Sequence, residues 1–144
     1  MAMLAPSMPE HEAELVATLL ERPPARWRGA YVATEVRTHG TAKADLIVMT
    51  PRRMVSIEVK RRAWQRAIGQ AVLNRYVFDR SYIALWVTAV NDRVLANAGD
   101  WGVGVIAISA ASSRIVQEGV LCQPHADLQA RVRDRVVGRS VSLP

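Results

Sequence analysis

The chain has 144 residues, half of them hydrophobic, and its 19 lysines and arginines outnumber 13 aspartates and glutamates for a formal charge of +6. That length supplies one core and not two, and the basic balance suits a partner built of phosphates while disfavouring an acidic one. A lone Cys122 excludes an internal disulfide framework, His11, His39 and His125 lack zinc-ligand spacing, and no apolar run approaches the ~18 residues of a membrane span, so a cytoplasmic protein is expected.

Residues 1–10 carry no periodic pattern and are expected to form a flexible lead-in, with a single domain over 11–144. Leu15, Val16, Leu19 and Leu20 recur at helical spacing, and Pro23 and Pro24 stop the pattern, so a first helix spans about residues 10–22. In the loop that follows, Trp27 stands between arginines and is expected to cap the core rather than stack on a base. AYVATEVR, ADLIVM and MVSIEVK read as three strands, joined by the turn-like THGTAK and by TPRR with its proline in second position.

From Arg62 to about Arg80 the chain recurs at helical spacing, with Ala63, Ala67, Ala71, Val77 and Phe78 near one face. SYIALWVTAV and WGVGVIAIS read as strands buried on both faces, and a short helix is expected between them. Leu128, Val132 and Val136 mark a closing amphipathic helix, and the tail arginines Arg131, Arg133, Arg135 and Arg139 are expected on a solvated face. The whole reads as an α/β fold, a sheet flanked by helices.

Only Lys43 and Lys60 are lysines in a chain that otherwise uses arginine for positive charge. Lysine's compact ammonium does chemistry that guanidinium does not, which draws attention to Lys60. In MVSIEVK, alternation puts Ser56, Glu58 and Lys60 on one face and Val55, Ile57 and Val59 on the other, which is expected to be buried against a helix. If the two neighbouring strands pair symmetrically about Pro51 and Arg52, paired residue numbers sum to 103 and Asp45 lies opposite Glu58. Cβ atoms so paired lie ~4.5–5.5 Å apart, close enough for two carboxylates to share a small hard cation. Mg²⁺ there would relieve the repulsion and polarise a phosphodiester, with Lys60 beside it to stabilise developing charge.

Asp45 followed by Glu58-Val59-Lys60 on the next strand resembles the PD-(D/E)xK nuclease superfamily, over the stretch from the first helix to the strand near Val105. Ala44 stands where the family's usual proline would be. The resemblance implies a restriction-endonuclease-like αβββαβ core with a central mixed sheet. It also implies Asp45 and Glu58 as Mg²⁺ ligands, Mn²⁺ as a substitute ion, Lys60 as the catalytic cation, and hydrolysis of DNA phosphodiesters of endonuclease or resolvase type. It further implies a catalytic glutamine on the second helix, which maps onto Gln70; a structural glutamine bonded to a backbone edge is the alternative. Gln70 and Asn74 both lie near the alanine-rich face, where polar groups need partners. Glu12, in the middle of the first helix's apolar stripe, is the candidate supporting metal ligand; a first-turn glutamate stabilised by the helix dipole is its alternative. Glu35 is a further acidic neighbour.

Arg61, Arg62 and Arg66 follow Lys60, and Arg52 and Arg53 occupy the turn, so these five are expected to hold DNA phosphates without reading sequence. The alternative is a DNA-binding or structural module that keeps the fold without cleaving, or a subunit needing a partner protein. Small size and the apolar late strands suit a homodimer.

Overall fold

The computed structural model describes residues 7–40 and 42–144; residues 1–6 of the expected lead-in, and Thr41, lie outside the described residues. Helical periodicity before Pro23 gives α1 (Glu12–Glu21), and the three alternating segments give β1 (Tyr31–Arg37), β2 (Lys43–Met49) and β3 (Met54–Lys60). There follow α2 (Trp64–Asn74), β4 (Arg80–Trp86), α3 (Asp92–Asp100), β5 (Gly104–Ile108), β6 (Ser113–Gln117), α4 (Ala126–Val136) and β7 (Val141–Ser142). Short 3₁₀ turns occupy Ala25–Trp27 and Val87–Ala89.

The strands form one mixed seven-stranded sheet in the order β6-β5-β4-β3-β2-β1-β7. β3, β4 and β5 are parallel, and the outer pairings are antiparallel. Val55, Ile57 and Val59 pack with Leu15 and Leu19 of α1, as alternation along β3 requires. Trp27 is 3% exposed and meets Tyr82 edge-on with ring centroids 5.3 Å apart, so it belongs to the core. The opposite face is covered by α2 and α3, through Ala67, Ala71, Val94 and Ala98 on Ile83 and Leu85, and by α4, through Val132 and Val136 on Ala33 and Ile47. Both faces of the sheet are therefore buried. Among the described residues no helix is long and apolar enough to cross a membrane.

Three features differ from the sequence-based expectation. α2 stops at Asn74 rather than near Arg80, because the Asn74 carbonyl accepts from both Val77 and Phe78 N–H at 2.9 Å, closing a turn that returns the chain to β4. Val77 and Phe78 consequently pack in the cluster under α4, away from Ala67 and Ala71. β6 and β7 are additional edge strands. The tail arginines do not all stand free in solvent: Arg135 of α4 donates to the carbonyls of Arg37 and Thr38 at 2.9 and 3.0 Å, and Arg139, beyond the helix, donates to that of Thr34 at 2.8 Å. These bonds tie the C-terminal end of the chain to the last half of β1.

Gly104 pairs with Tyr82 across β4 and β5, and a Cβ there would lie 2.4 Å from the Tyr82 ring and 2.5 Å from the Gly119 amide nitrogen. Backbone and a buried ring cannot both yield, so Gly104→Ala is expected to cost at least about 2 kcal/mol, at the upper part of the overpacking range. Urea unfolding checks this; an unchanged midpoint would mean that β5 does not lie against Tyr82 as described.

Candidate functional site

β2 and β3 pair as Met49↔Met54, Val48↔Val55, Ile47↔Ser56 and Leu46↔Ile57, each pair summing to 103 as the turn predicts. One step further along, Asp45 stands at the position opposite Glu58, but the ladder ends there. The Asp45 Oδ2 instead accepts the Val59 N–H at 2.9 Å, so a side chain takes the place of a main-chain partner. The β1–β2 ladder is broken at the same level, its pairs passing from Thr34↔Leu46 to Val36↔Ala44 over Glu35 and Asp45. Ala33 and Val36, three apart, pack in one cluster with Ala44 and Ile47, also three apart. Regular strands would send such residues to opposite faces, so alternation is interrupted in both strands between them. Glu35 has a φ of 53°, in the left-handed region that non-glycine residues rarely adopt. Irregularities of this kind bend strands and re-aim side chains, and here they coincide with a carboxylate.

Glu58 is 1% exposed on the face that alternation assigns it. Its Oε1 accepts from Asn74 Nδ2 at 2.8 Å, and Asn74 is itself 4% exposed. Burial first, and then the charge of Asp45 and a hydrogen bond with it, push the Glu58 carboxyl up to about 8; Asn74 and the Lys60 ammonium pull against that rise. At neutral pH Glu58 thus holds a proton that its neighbourhood keeps in place. Lys60, at the end of β3, reaches Glu12 at the start of α1, with Nζ 3.7 Å from Oε2. Its side chain is 20% exposed against 46% for Glu12, so the pair stands at the edge of the protein.

The expected site residues separate into three groups. Asp45, Glu58 and Lys60 come together where β2 and β3 part. Glu12 reaches the group through Lys60 and does not complete a trio: among the described residues no three His, Cys, Asp or Glu side chains form a metal-ligand group. Gln70 is exposed, and the α2 amide that reaches Glu58 is Asn74. The stripe facing the sheet runs Ala67, Ala71, Asn74, and Gln70 lies to its side. Glu35 is exposed beside the break in β1.

The arginines separate as well. Arg62 and Arg66 are exposed just beyond Lys60, whereas Arg61 is half-buried with Nε donating to the Pro9 carbonyl at 2.8 Å. Arg52 and Arg53 do not flank the site. They sit in the turn before β3, and five residues of extended chain carry Glu58 about 17 Å away from Arg53.

Two carboxylates at one point, one of them buried, form a donor set that suits a small hard cation, since Mg²⁺ takes one or two carboxylates and keeps several waters. Displacing the Glu58 proton and placing a divalent charge there would relieve both the burial of a carboxylate and its repulsion by Asp45. The residues present fit such an ion.

No family model matches the chain, and no match is found among curated proteins. Among solved structures, the chain is similar to a protein of unknown function from Silicibacter pomeroyi, with a TM-score of 0.66 and 16% identity over 85% of this chain and 81% of that one. This likeness is one of fold. SfsA from Pyrococcus furiosus, in complex with Ca²⁺, aligns with a TM-score of 0.36 and 16% identity over 77% of this chain and 59% of that one.

Proposed function

We propose that the protein is a nuclease of the PD-(D/E)xK type that hydrolyses DNA phosphodiesters with Mg²⁺, or Mn²⁺ in its place. The observation that carries this reading is the meeting of Asp45 and Glu58 at the break between β2 and β3, with Lys60 at the same strand end. The succession α1, β1, β2, β3, α2, β4 supports it, being the αβββαβ order of that superfamily's core.

Asp45 and Glu58 would hold the ion. When bound, it polarises a phosphoryl oxygen and lowers the pKa of a water. Lys60 brings its ammonium to the same point, exchanging the exposed Glu12 carboxylate for a phosphate oxygen as charge develops there. Burial of Glu58 keeps bulk water from the inner side of the pair. Arg62 and Arg66 face solvent on the approach and hold the DNA backbone through its phosphates, without sequence readout.

The Glu12–Lys60 pair, which occupies both side chains, favours a second reading: a DNA-binding module or subunit that keeps the fold and does not cleave. Purified protein with Mg²⁺ on plasmid, branched and single-stranded DNA separates the two. Cleavage of one form, abolished by chelator, is expected; binding without cleavage on all three supports the module. In either case DNA affinity is expected to fall steeply with salt, and Arg62→Ala with Arg66→Ala to flatten the log–log slope by about 2. Salt-insensitive binding would contradict a phosphate-contacting surface.

A further inference from the structure

Resting on the reading of Asp45 and Glu58 as a cation site, we infer that Asn74 is the positioning residue that fixes which Glu58 oxygen faces the ion. Ala67 and Ala71 let α2 sit close on the sheet, and the next residue of that stripe is an amide 4% exposed. A buried amide costs stability unless it is bonded, and a leucine would fill the space with no such demand. The bond it makes is to Glu58: Nδ2 donates to Oε1 at 2.8 Å, which leaves Oε2 as the oxygen free to face Asp45.

The support is stiff. Val77 and Phe78 N–H groups both close on the Asn74 carbonyl, so the side chain stands on a pinned helix end. An amide also donates whether Glu58 is protonated or ionised, so it can hold the carboxyl in one orientation before and after an ion arrives. Groups that orient a metal ligand from behind change metal affinity by roughly 10–100-fold when removed.

Calorimetric titration with Mn²⁺ and thermal unfolding, on wild type, Asn74→Leu, Asn74→Ala and Ser56→Ala, test the assignment. Ser56 and Ser81 form a buried hydroxyl pair at 3.0 Å on the same face of β3, so Ser56→Ala loses a buried hydrogen bond without touching Glu58. Both Asn74 variants are expected to bind Mn²⁺ at least about tenfold more weakly than wild type, whereas Ser56→Ala loses stability and keeps its affinity. Asn74→Ala adds no volume and gives the reading if Asn74→Leu fails to fold. Wild-type affinity in a folded Asn74 variant would overturn the role of Asn74 and leave the cation site standing; a wild type that binds no Mn²⁺ would overturn the site and this inference with it.

Discussion

Asp45→Asn is expected to lower Mg²⁺-dependent DNA cleavage at least about a hundredfold while leaving DNA affinity unchanged or slightly improved. Asp45 has two tasks, one charged and one not. Its carboxylate stands beside the Glu58 carboxyl as the second ligand of the proposed cation site, and its Oδ2 accepts the Val59 N–H at 2.9 Å. An asparagine oxygen can still accept that N–H, so the strand end should hold while the ionic ligand is lost. In the proposed function binding would rest on arginine contacts to phosphates, which removal of a negative charge nearby would not weaken. Cleavage with Mg²⁺ and equilibrium binding with Ca²⁺ in its place, measured on the same preparation, report the two separately. Full cleavage by the variant would remove Asp45 from the chemistry.

The second large effect is on stability and carries a sign that depends on pH. Glu58 keeps its proton up to about pH 8 in the folded protein, against the usual 4.5 once its surroundings are lost. Between those values the folded state binds more protons than the unfolded one, so the stability of the cation-free protein falls as pH rises through that window. Glu58→Gln mimics the protonated acid, can accept the Asn74 bond, and escapes the loss. The variant is therefore expected to match wild type near pH 4.5 and to exceed it by several kcal/mol at pH 9, as urea unfolding would record. Saturating Mg²⁺ should narrow the gap at pH 9 by stabilising only the wild type. A difference that does not change with pH would mean that Glu58 titrates normally.

Much of this was readable from residues alone because strong periodicities carried it. MVSIEVK spans β3 to the residue, and the turn at Pro51 and Arg52 fixes the register that puts Asp45 at the level of Glu58. The end of that ladder was not readable, since nothing local in ADLIVM announces that Asp45 will bond a main-chain amide across the strand. Asn74 was visible as a polar residue on an alanine-rich face, but its distinction from Gln70 depends on the angle at which α2 meets the sheet, which spacing alone does not set. Glu12 follows the same logic: a place in the α1 stripe locates it near the sheet, and only the packed structure shows that Lys60 meets it first. The turn arginines are close to the site along the chain, Arg53 being five residues from Glu58, but an extended strand turns that short separation into about 17 Å. β6 and β7 are not legible in the sequence because short, largely exposed edge strands lack the continuous apolar run of β4 and β5.

The most direct test of the proposed shared carboxylate site is a Mn²⁺ titration of the wild type and of the Asp45→Asn/Glu58→Gln double variant at pH 8.5, above the value of about 8 to which the Glu58 carboxyl is raised. One equivalent bound by the wild type and none by a folded double variant is the expected result, with Mg²⁺ competing for the same equivalent. Equal binding by both proteins, or none by either, would contradict a cation held between Asp45 and Glu58.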